Sequence, residues 1–151
     1  MALLIENKEF KKLFGEVAKS RGFQSIHGYW YVESVECILT LELLKSNFSN
    51  LYYLNIRTFI HGIFGKNYIK DKTLSKGFGN ITSRPPGKYH PFFDLDLAME
   101  SQVRKEGIES LFDEYLLPYS NQSLSRKGIS ELPDEDKRCI PLSVKEALNL
   151  E

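Results

Sequence analysis

The clearest pattern in the chain is an alternation of apolar and polar side chains, Val35-Glu36-Cys37-Ile38-Leu39-Thr40-Leu41-Glu42-Leu43. The residues of odd number are all apolar, because a buried cysteine behaves as a small hydrophobe. Successive side chains of a β-strand point to opposite faces, so this period predicts a strand with one face in the core. Burial of a single face is typical of an antiparallel sheet.

The neighbouring segments predict further strands of the same sheet. Residues 29–32 are rich in aromatic and β-branched side chains, and the Ser and Asn residues of 46–50 favour a turn. Residues 51–60 alternate less cleanly between an apolar face (Leu54, Ile56, Ile60) and a mixed face (Tyr53, Asn55, Arg57, Phe59). A short strand over residues 80–84 can pair with this meander, and the Gly- and Pro-rich remainder of 61–91 is predicted to be loop.

Two longer helices are predicted on either side of the strands. The first covers residues 8–20, with Asn7 as its N-cap and Gly22 as its C-terminal stop. Its apolar face consists of Phe10, Leu13, Phe14, Val17 and Ala18. The second begins at about residue 96, with Asp94 as its cap, Gly107 weakening its middle and Pro118 ending it. Its apolar stripe is Val103, Ile108, Leu111, Phe112 and Tyr115.

Two shorter helices are predicted nearer the C-terminus. One falls within residues 120–130, and the capping box Ser143-Val144-Lys145-Glu146 indicates another over residues 144–150. The strands follow one another without helices between them, which indicates an α+β fold. We therefore predict one domain over residues 1–151, an antiparallel β-meander of three to four or more strands with the N-terminal helix first and the helices packed on one face.

Four short motifs follow one another in the first part of the chain, Arg21-Gly22-Phe23, Gly28-Tyr29-Trp30-Tyr31, Leu43-Leu44-Lys45-Ser46-Asn47-Phe48 and Tyr52-Tyr53-Leu54-Asn55-Ile56. Their order resembles a bacterial family numbered 4304 among the domains of unknown function, mainly over residues 8–60. The resemblance implies a small, single-domain, cytoplasmic bacterial protein, a class in which immunity proteins that capture a partner protein are common. It implies no activity and no catalytic residues.

Composition narrows the class of protein. The 151 residues carry 20 basic and 20 acidic side chains, and 13% are aromatic. The aromatic content excludes a disordered chain, and the balanced charge argues against a histone-like binder of polyanions. No apolar run approaches the roughly 20 residues of a membrane span. Cys37 and Cys139 stand outside any CxxC motif and the N-terminus lacks signal-peptide features, so we expect free thiols, a cytoplasmic location and no membrane contact.

Motifs for catalysis or for phosphate binding are weak. The Gly65-Lys66 pair lacks the spacing of a Walker loop, and Gly77-Phe78-Gly79 stands without the strand and helix that would frame a nucleotide site. No GxSxG motif occurs, and Cys37 falls on the core face of its strand. A triad assembled only by the fold would leave no such spacing, so catalysis stays open, with a binding role as the first hypothesis.

The sequence also lacks a metal-binding pattern. Its three histidines are scattered, without the spacing of ligands on one helix. Asp94, Asp96 and Glu100 are close together, but carboxylates at this point suit the positive end of the predicted helix. We therefore expect neither a metal nor a cofactor.

Charge is unevenly distributed along the chain. Residues 57–93 hold seven basic side chains and one acidic one, whereas residues 94–151 hold seven basic and 13 acidic ones. The basic segment, which includes Lys66, Lys70, Lys72, Lys76 and Lys88, is interleaved with aromatic residues. This mixture is typical of proteins that bind single-stranded nucleic acid, but charge runs are more often simply solvated, and a loop paired with the acidic helices is the favoured explanation.

A candidate binding surface follows from the predicted sheet. If the helices cover the apolar face, the opposite face is open and carries aromatic and cationic side chains, namely Trp30, Tyr53, Asn55, Arg57, Phe59 and Arg84. Such a surface suits a protein partner or an anionic ligand. The alternative is that the long loop or the later helices cover it.

Three functions are compatible with these patterns. The first hypothesis is a non-enzymatic binding module, an immunity-type protein that captures a partner protein. The alternative is a binder of nucleic acid or of an anionic ligand that uses residues 57–90. A small-molecule enzyme is the third and would require a deep pocket with titratable groups.

Overall fold

The computed structural model, which describes residues 1–150 and every side chain among them except that of Ser75, contains a five-stranded antiparallel sheet. Its strands are β1 (Gln24–Ile26), β2 (Tyr29–Glu33), β3 (Cys37–Lys45), β4 (Tyr52–Ile60) and β5 (Ile81–Ser83). They lie side by side in chain order, so the sheet is a meander. With the N-terminal helix and the later helices, this confirms the predicted α+β fold.

The central pair of strands carries the register predicted by their alternation. β3 and β4 pair over their full lengths, from Cys37 opposite Ile60 to Lys45 opposite Tyr52. The short strand predicted over residues 80–84 is β5, which pairs with β4. The hairpin of β1 and β2 was not predicted; its two-residue turn contains His27 and Gly28, both at positive φ.

The first helix, α1 (Asn7–Ser20), occupies the predicted residues and buries its apolar face against the sheet. Its predicted cap is wrong, because Glu6 holds the N-cap position and Asn7 is the first helical residue. The predicted stop is confirmed. Gly22 has a φ of +90° and donates its N–H to the Lys19 carbonyl at 3.1 Å.

The second helix, α2 (Ser101–Leu111), begins later than predicted. β-bridges from Leu3 to Met99 and from Leu51 to Asp94 hold the preceding residues against distant parts of the chain. Asp94 therefore accepts the Asp96 N–H in a turn, at 3.0 Å, instead of capping the helix. Of the predicted apolar stripe, only Val103 is exposed.

The end of this helix was also predicted incorrectly. The chain passes through a π-helical turn, Phe112–Leu116, into α3 (Leu117–Ser123), and Pro118 lies in the first turn of α3, where a proline is tolerated. Gly107 has a packing role, because a Cβ atom there would lie 2.3 Å from ring carbons of Phe92.

Three short helices complete the chain, α4 (Arg126–Ser130), α5 (Asp134–Lys137) and α6 (Leu142–Ala147). The predicted capping box is wrong, since Pro141 holds the N-cap position of α6 and Ser143 lies inside the helix. Short 3₁₀ turns at Ile63–Gly65, Leu74–Lys76 and Gly87–Phe93 interrupt the long loops.

The sheet is covered on both faces. The main core lies between one face, α1 and the C-terminal helices. On the other face a second cluster joins sheet residues to the segment 61–80, and consists of Tyr29, Tyr31, Ile38, Phe59 and Leu74. This loop covers one end of the face that was predicted to be open, where Ile38 and Phe59 are 3% and 2% exposed.

Candidate functional site

The structure brings together three of the six predicted surface residues, Tyr53, Asn55 and Arg84. Tyr53 and Asn55 are two positions apart on β4, so both point to the same face of the sheet. Ser83 of β5 pairs with Ile56, and this register brings Arg84 opposite Asn55. None of the three belongs to the cluster that joins the sheet to the loop 61–80.

The placement of Trp30 on this face was wrong. Trp30 pairs with Leu41, which belongs to the helix-covered core, and therefore points to the helix side. Its ring lies 4.9 Å from that of Phe14 between centroids, and a Cβ atom on Gly15 would contact it at 3.3 Å. Trp30 is part of the packing between α1 and the sheet.

Arg57 and Phe59 share the face with Tyr53, but they are not open to solvent. Phe59 is 2% exposed, and its ring centroid lies 5.1 Å from that of Tyr68 in the covering loop. Arg57 is 9% exposed and donates from Nη1 to Glu42 Oε1 at 3.1 Å. Asn55 is also buried, so of the four β4 side chains predicted to be open only Tyr53 keeps part of its surface exposed.

Arg84 is held in place by two neighbours on β4. Its Nε donates to Oδ1 of Asn55 at 3.1 Å, and Asn55 is itself 4% exposed. The guanidinium carbon lies 4.5 Å from the centre of the Tyr53 ring. The ring of His90 lies nearly parallel to Tyr53, at 6.5 Å between centroids and 16° between planes. Stacking on an aromatic face and a fixed hydrogen bond orient the guanidinium before any ligand binds.

A pocket of about 200 Å³ opens beside this arginine. We call it the tyrosine pocket; it is lined by Tyr52, Tyr53, Leu54, Arg84, Pro85, Pro86, Gly87, Tyr89, His90 and Phe93. Two consecutive prolines and a 3₁₀ turn shape one wall, and a proline has its φ fixed by its ring. Tyr52, Tyr89 and Phe93 are each less than 5% exposed, so the wall and floor are packed into the protein.

A cationic side chain lies over the ring of each of the three tyrosines of this pocket. Lys11 Nζ lies 5.6 Å from the ring centre of Tyr52, and Lys88 Nζ lies 5.1 Å from that of Tyr89. Arg84 on Tyr53 is the third. None of these cations forms a salt bridge within residues 1–150, and no carboxylate lines the pocket in that part of the chain. The pocket is therefore both aromatic and electropositive.

An acidic group lies behind the wall of the pocket. The hydroxyl of Tyr89 donates to Glu114 Oε1 at 2.8 Å. Burial, with this hydrogen bond as the second cause, raises the pKa of Tyr89 to about 12. The phenol therefore stays neutral at physiological pH and contributes no negative charge to the pocket.

The predicted basic segment is divided by the fold. Lys70 donates to Glu33 at 2.7 Å, and that hydrogen bond raises the pKa of the lysine. Lys66 lies over the Tyr68 ring at 5.2 Å. Lys72 and Lys76 are exposed on the covering loop, whereas Lys88 lies over the ring of Tyr89, at the tyrosine pocket. The segment is thus two surfaces rather than one.

Several residues that line the pocket were not predicted, above all Tyr52, Tyr89 and His90, and neither was Lys11, which lies over the Tyr52 ring. Residues 85–91 read Pro-Pro-Gly-Lys-Tyr-His-Pro, directly after the predicted Arg84, and this dense run of prolines, cations and aromatics was a usable signal. Lys11 was beyond reach, because it comes from the far end of the chain and meets Tyr52 only in the folded protein.

Other chemistry finds little support in the described residues. Among them, no three His, Cys, Asp or Glu side chains are grouped to hold a metal ion. The Cys37 thiol is fully buried, and burial raises its pKa to about 12, which makes it a poor nucleophile at neutral pH. In residues 1–150, none of the helices has the length and apolar content needed to cross a bilayer.

Comparisons of the chain with protein-family models, with curated proteins and with solved structures find no match. The resemblance of residues 8–60 to the family numbered 4304 therefore stays a prediction.

Proposed function

We propose that this protein is a non-enzymatic binding module, an immunity-type protein that captures a partner protein, and that the tyrosine pocket receives an acidic part of the partner. The observation that carries the proposal is the set of three cations on the three pocket tyrosines, none of them neutralised by a carboxylate of the described chain.

Interface energetics favour such a site. Tyrosine and arginine are enriched among the residues that contribute most to protein–protein binding. Arg84 is already oriented by Tyr53 and Asn55, so less conformational entropy is lost when a carboxylate binds. Cationic side chains that form no salt bridge also attract an acidic partner protein from a distance and raise the association rate.

A cytoplasmic location is part of the same proposal. Both cysteines, buried Cys37 and exposed Cys139, are free thiols. Free cysteines are usual in proteins of reducing compartments.

Single-stranded nucleic acid is the second candidate ligand, on a different surface. Phe64 and Phe78 are 63% and 82% exposed on the covering loop, which also carries Lys66 and Lys76. Exposed aromatic rings beside lysines can stack on bases while the lysines contact phosphates. We rank this candidate second because part of the charge of the loop is neutralised, as Lys70 pairs with Glu33.

A peptide-array experiment tests the first candidate. Wild-type protein, Arg84→Gln and the matched control Arg138→Gln, in which an exposed arginine outside the pocket is changed, are applied to an array of random peptides. We expect wild type and the control to retain peptides enriched in carboxylates and Arg84→Gln to lose them. An absence of acidic preference, or retention by Arg84→Gln, would refute the proposal.

A second experiment separates the two candidate ligands. Binding of a fluorescent single-stranded oligonucleotide is measured for wild type and for a Lys66→Glu, Lys76→Glu double variant. Binding that is lost in this variant, weakens steeply with salt and is unchanged in Arg84→Gln would favour the nucleic-acid function.

A further inference from the structure

The tyrosine pocket has a shape and a donor arrangement that select one kind of acidic group. Building on the proposed function, we infer that the pocket binds the C-terminal residue of the partner chain, with the terminal carboxylate on Arg84 and a large apolar side chain in the cavity.

The donor geometry of Arg84 fits a carboxylate. The guanidinium has five N–H donors, of which the one on Nε is taken by Asn55. No hydrogen bond from Nη1 or Nη2 reaches another described residue. Because the Tyr53 ring fixes the orientation of the guanidinium plane, the Nη1 and Nη2 groups form a planar fork of donors. Two parallel N–H···O bonds to the two oxygens of one carboxylate use this fork fully.

The cavity beside Arg84 fits one apolar side chain. Its volume is about 200 Å³, and Pro85, Pro86 and Phe93 contribute apolar wall. An apolar protein cavity of roughly 150 Å³ can hold a benzene molecule. The pocket is therefore large enough for the side chain of Phe, Leu or Ile and smaller than the roughly 300 Å³ of a typical small-molecule site.

The closeness of the two features favours a chain terminus over an internal Asp or Glu. Arg84 itself lines the cavity, so the carboxylate and the apolar group must be close neighbours. In a C-terminal residue both leave the same Cα atom. With an internal acidic residue, the apolar side chain that fills the cavity has to come from a neighbouring residue. The Cα of that neighbour is about 3.8 Å away, and its side chain points to the opposite face of an extended peptide.

Matched peptide pools test this inference. Acetylated pools with randomised upstream positions end in Phe, Leu or Ile, either as the free acid or as the amide, and fluorescence anisotropy measures their binding to the full-length protein. We expect the free-acid pool to bind at least about tenfold more tightly than the amide pool, because the amide cannot accept two charge-assisted hydrogen bonds. The difference should disappear in Arg84→Gln and shrink in Arg84→Lys, since lysine lacks the fork.

A third pool carries an internal glutamate and a C-terminal amide. Binding of this pool as tight as that of the free-acid pool, with the same dependence on Arg84, would overturn the C-terminal assignment and leave the proposed function standing. If no pool depends on Arg84, both fail. The comparison of acid with amide uses wild-type protein, so it holds even if a variant misfolds.

Competition experiments identify the source of the carboxylate. N-acetyl-phenylalanine, a small free carboxylate, should displace the free-acid pool only weakly, because a partner chain adds contacts outside the cavity. Displacement as strong as that by the peptides would point to a small-molecule ligand and overturn the inference. Stronger displacement by inorganic phosphate would likewise overturn it.

Discussion

Arg104 is the largest fully buried side chain of the protein, and its replacement should destabilise the fold by several kcal/mol. The residue is 1% exposed, and its guanidinium donates to backbone carbonyls between β5 and α2. Nη1 donates to Phe92 at 2.8 Å and to Asp94 at 3.4 Å, and Nη2 donates to Leu97 at 2.7 Å. Arg104 therefore connects α2 to residues 92–97, a segment that includes Phe93 of the tyrosine pocket.

The size of the effect follows from these hydrogen bonds. Methionine at position 104 would keep the apolar stem but leave the carbonyls inside the protein without their donor. Bonds from a charged donor contribute roughly 1.5–3 kcal/mol each, so the loss of the two short ones costs about 3–6 kcal/mol. Part is regained, because a charged group no longer has to be kept out of water. We expect a net loss of about 2–4 kcal/mol in the free energy of unfolding.

Urea unfolding followed by circular dichroism measures this loss. Arg138→Met is the control, and its exposed side chain should change stability by less than about 0.5 kcal/mol. Arg104→Lys should fall between wild type and Arg104→Met, since one ammonium group cannot reach both carbonyls as the guanidinium does. A loss below about 1 kcal/mol for Arg104→Met would show that these bonds do not hold the segment.

Three further changes should give defined results. Gly128→Ala should lower the free energy of unfolding by more than about 2 kcal/mol in a urea titration, because the new Cβ would lie 1.9 Å from the Gln122 carbonyl oxygen. Iodoacetamide at pH 8 should label Cys139 and leave buried Cys37 unmodified until the protein unfolds, and mass spectrometry counts the labels. Asp113→Asn should cost less than about 1 kcal/mol at pH 7, because the salt bridge of Asp113 is partly exposed. That cost should shrink as the pH falls from about 5 towards 3.

The pH dependence of the last change has a definite sign. A hydrogen bond from Arg21 lowers the pKa of Asp113 in the folded protein. Its contribution to stability is therefore complete above the unfolded pKa of about 3.9 and is lost as the pH drops through the lower, folded value. A cost that grows on acidification would contradict this assignment.

Controls for the other two changes are available in the same chain. Gly87 has open space where the Cβ atom of an alanine would lie, so Gly87→Ala should be nearly neutral, and an equal loss at both glycines would refute the steric argument. Cys139→Ser should abolish labelling of the folded protein. Labelling that persists in this variant would mean that Cys37 is accessible.

Local pattern was sufficient for the central strands, because their alternation reports directly on which residues are buried. Local pattern was insufficient wherever residues distant in the sequence determine the local structure. The period of β2 does not reveal its register against β3, so the face of Trp30 was assigned incorrectly. Bridges from Leu3 and Leu51 delay the start of α2, and no local signal announces them.

The candidate site shows the same division. Tyr53, Asn55 and Arg84 were predicted together, because the first two share a face of one strand and the third ends the neighbouring strand predicted over residues 80–84. The covering of Phe59 depends on how the loop 61–80 folds back, which its irregular composition does not determine. The His27-Gly28 turn of the missed hairpin, in contrast, contains a glycine at the kind of position that such turns favour.

Chemical-shift mapping by NMR tests the central claim most directly. A pool of acidic peptides is titrated into ¹⁵N-labelled protein, and the backbone amides and the Arg84 Nε–H are followed. We predict that the perturbed signals cluster at the tyrosine pocket and include Arg84 Nε–H, with little change across the loop 61–80. Perturbations confined to that loop, or no change at saturating peptide, would contradict the assignment of the pocket as the binding site.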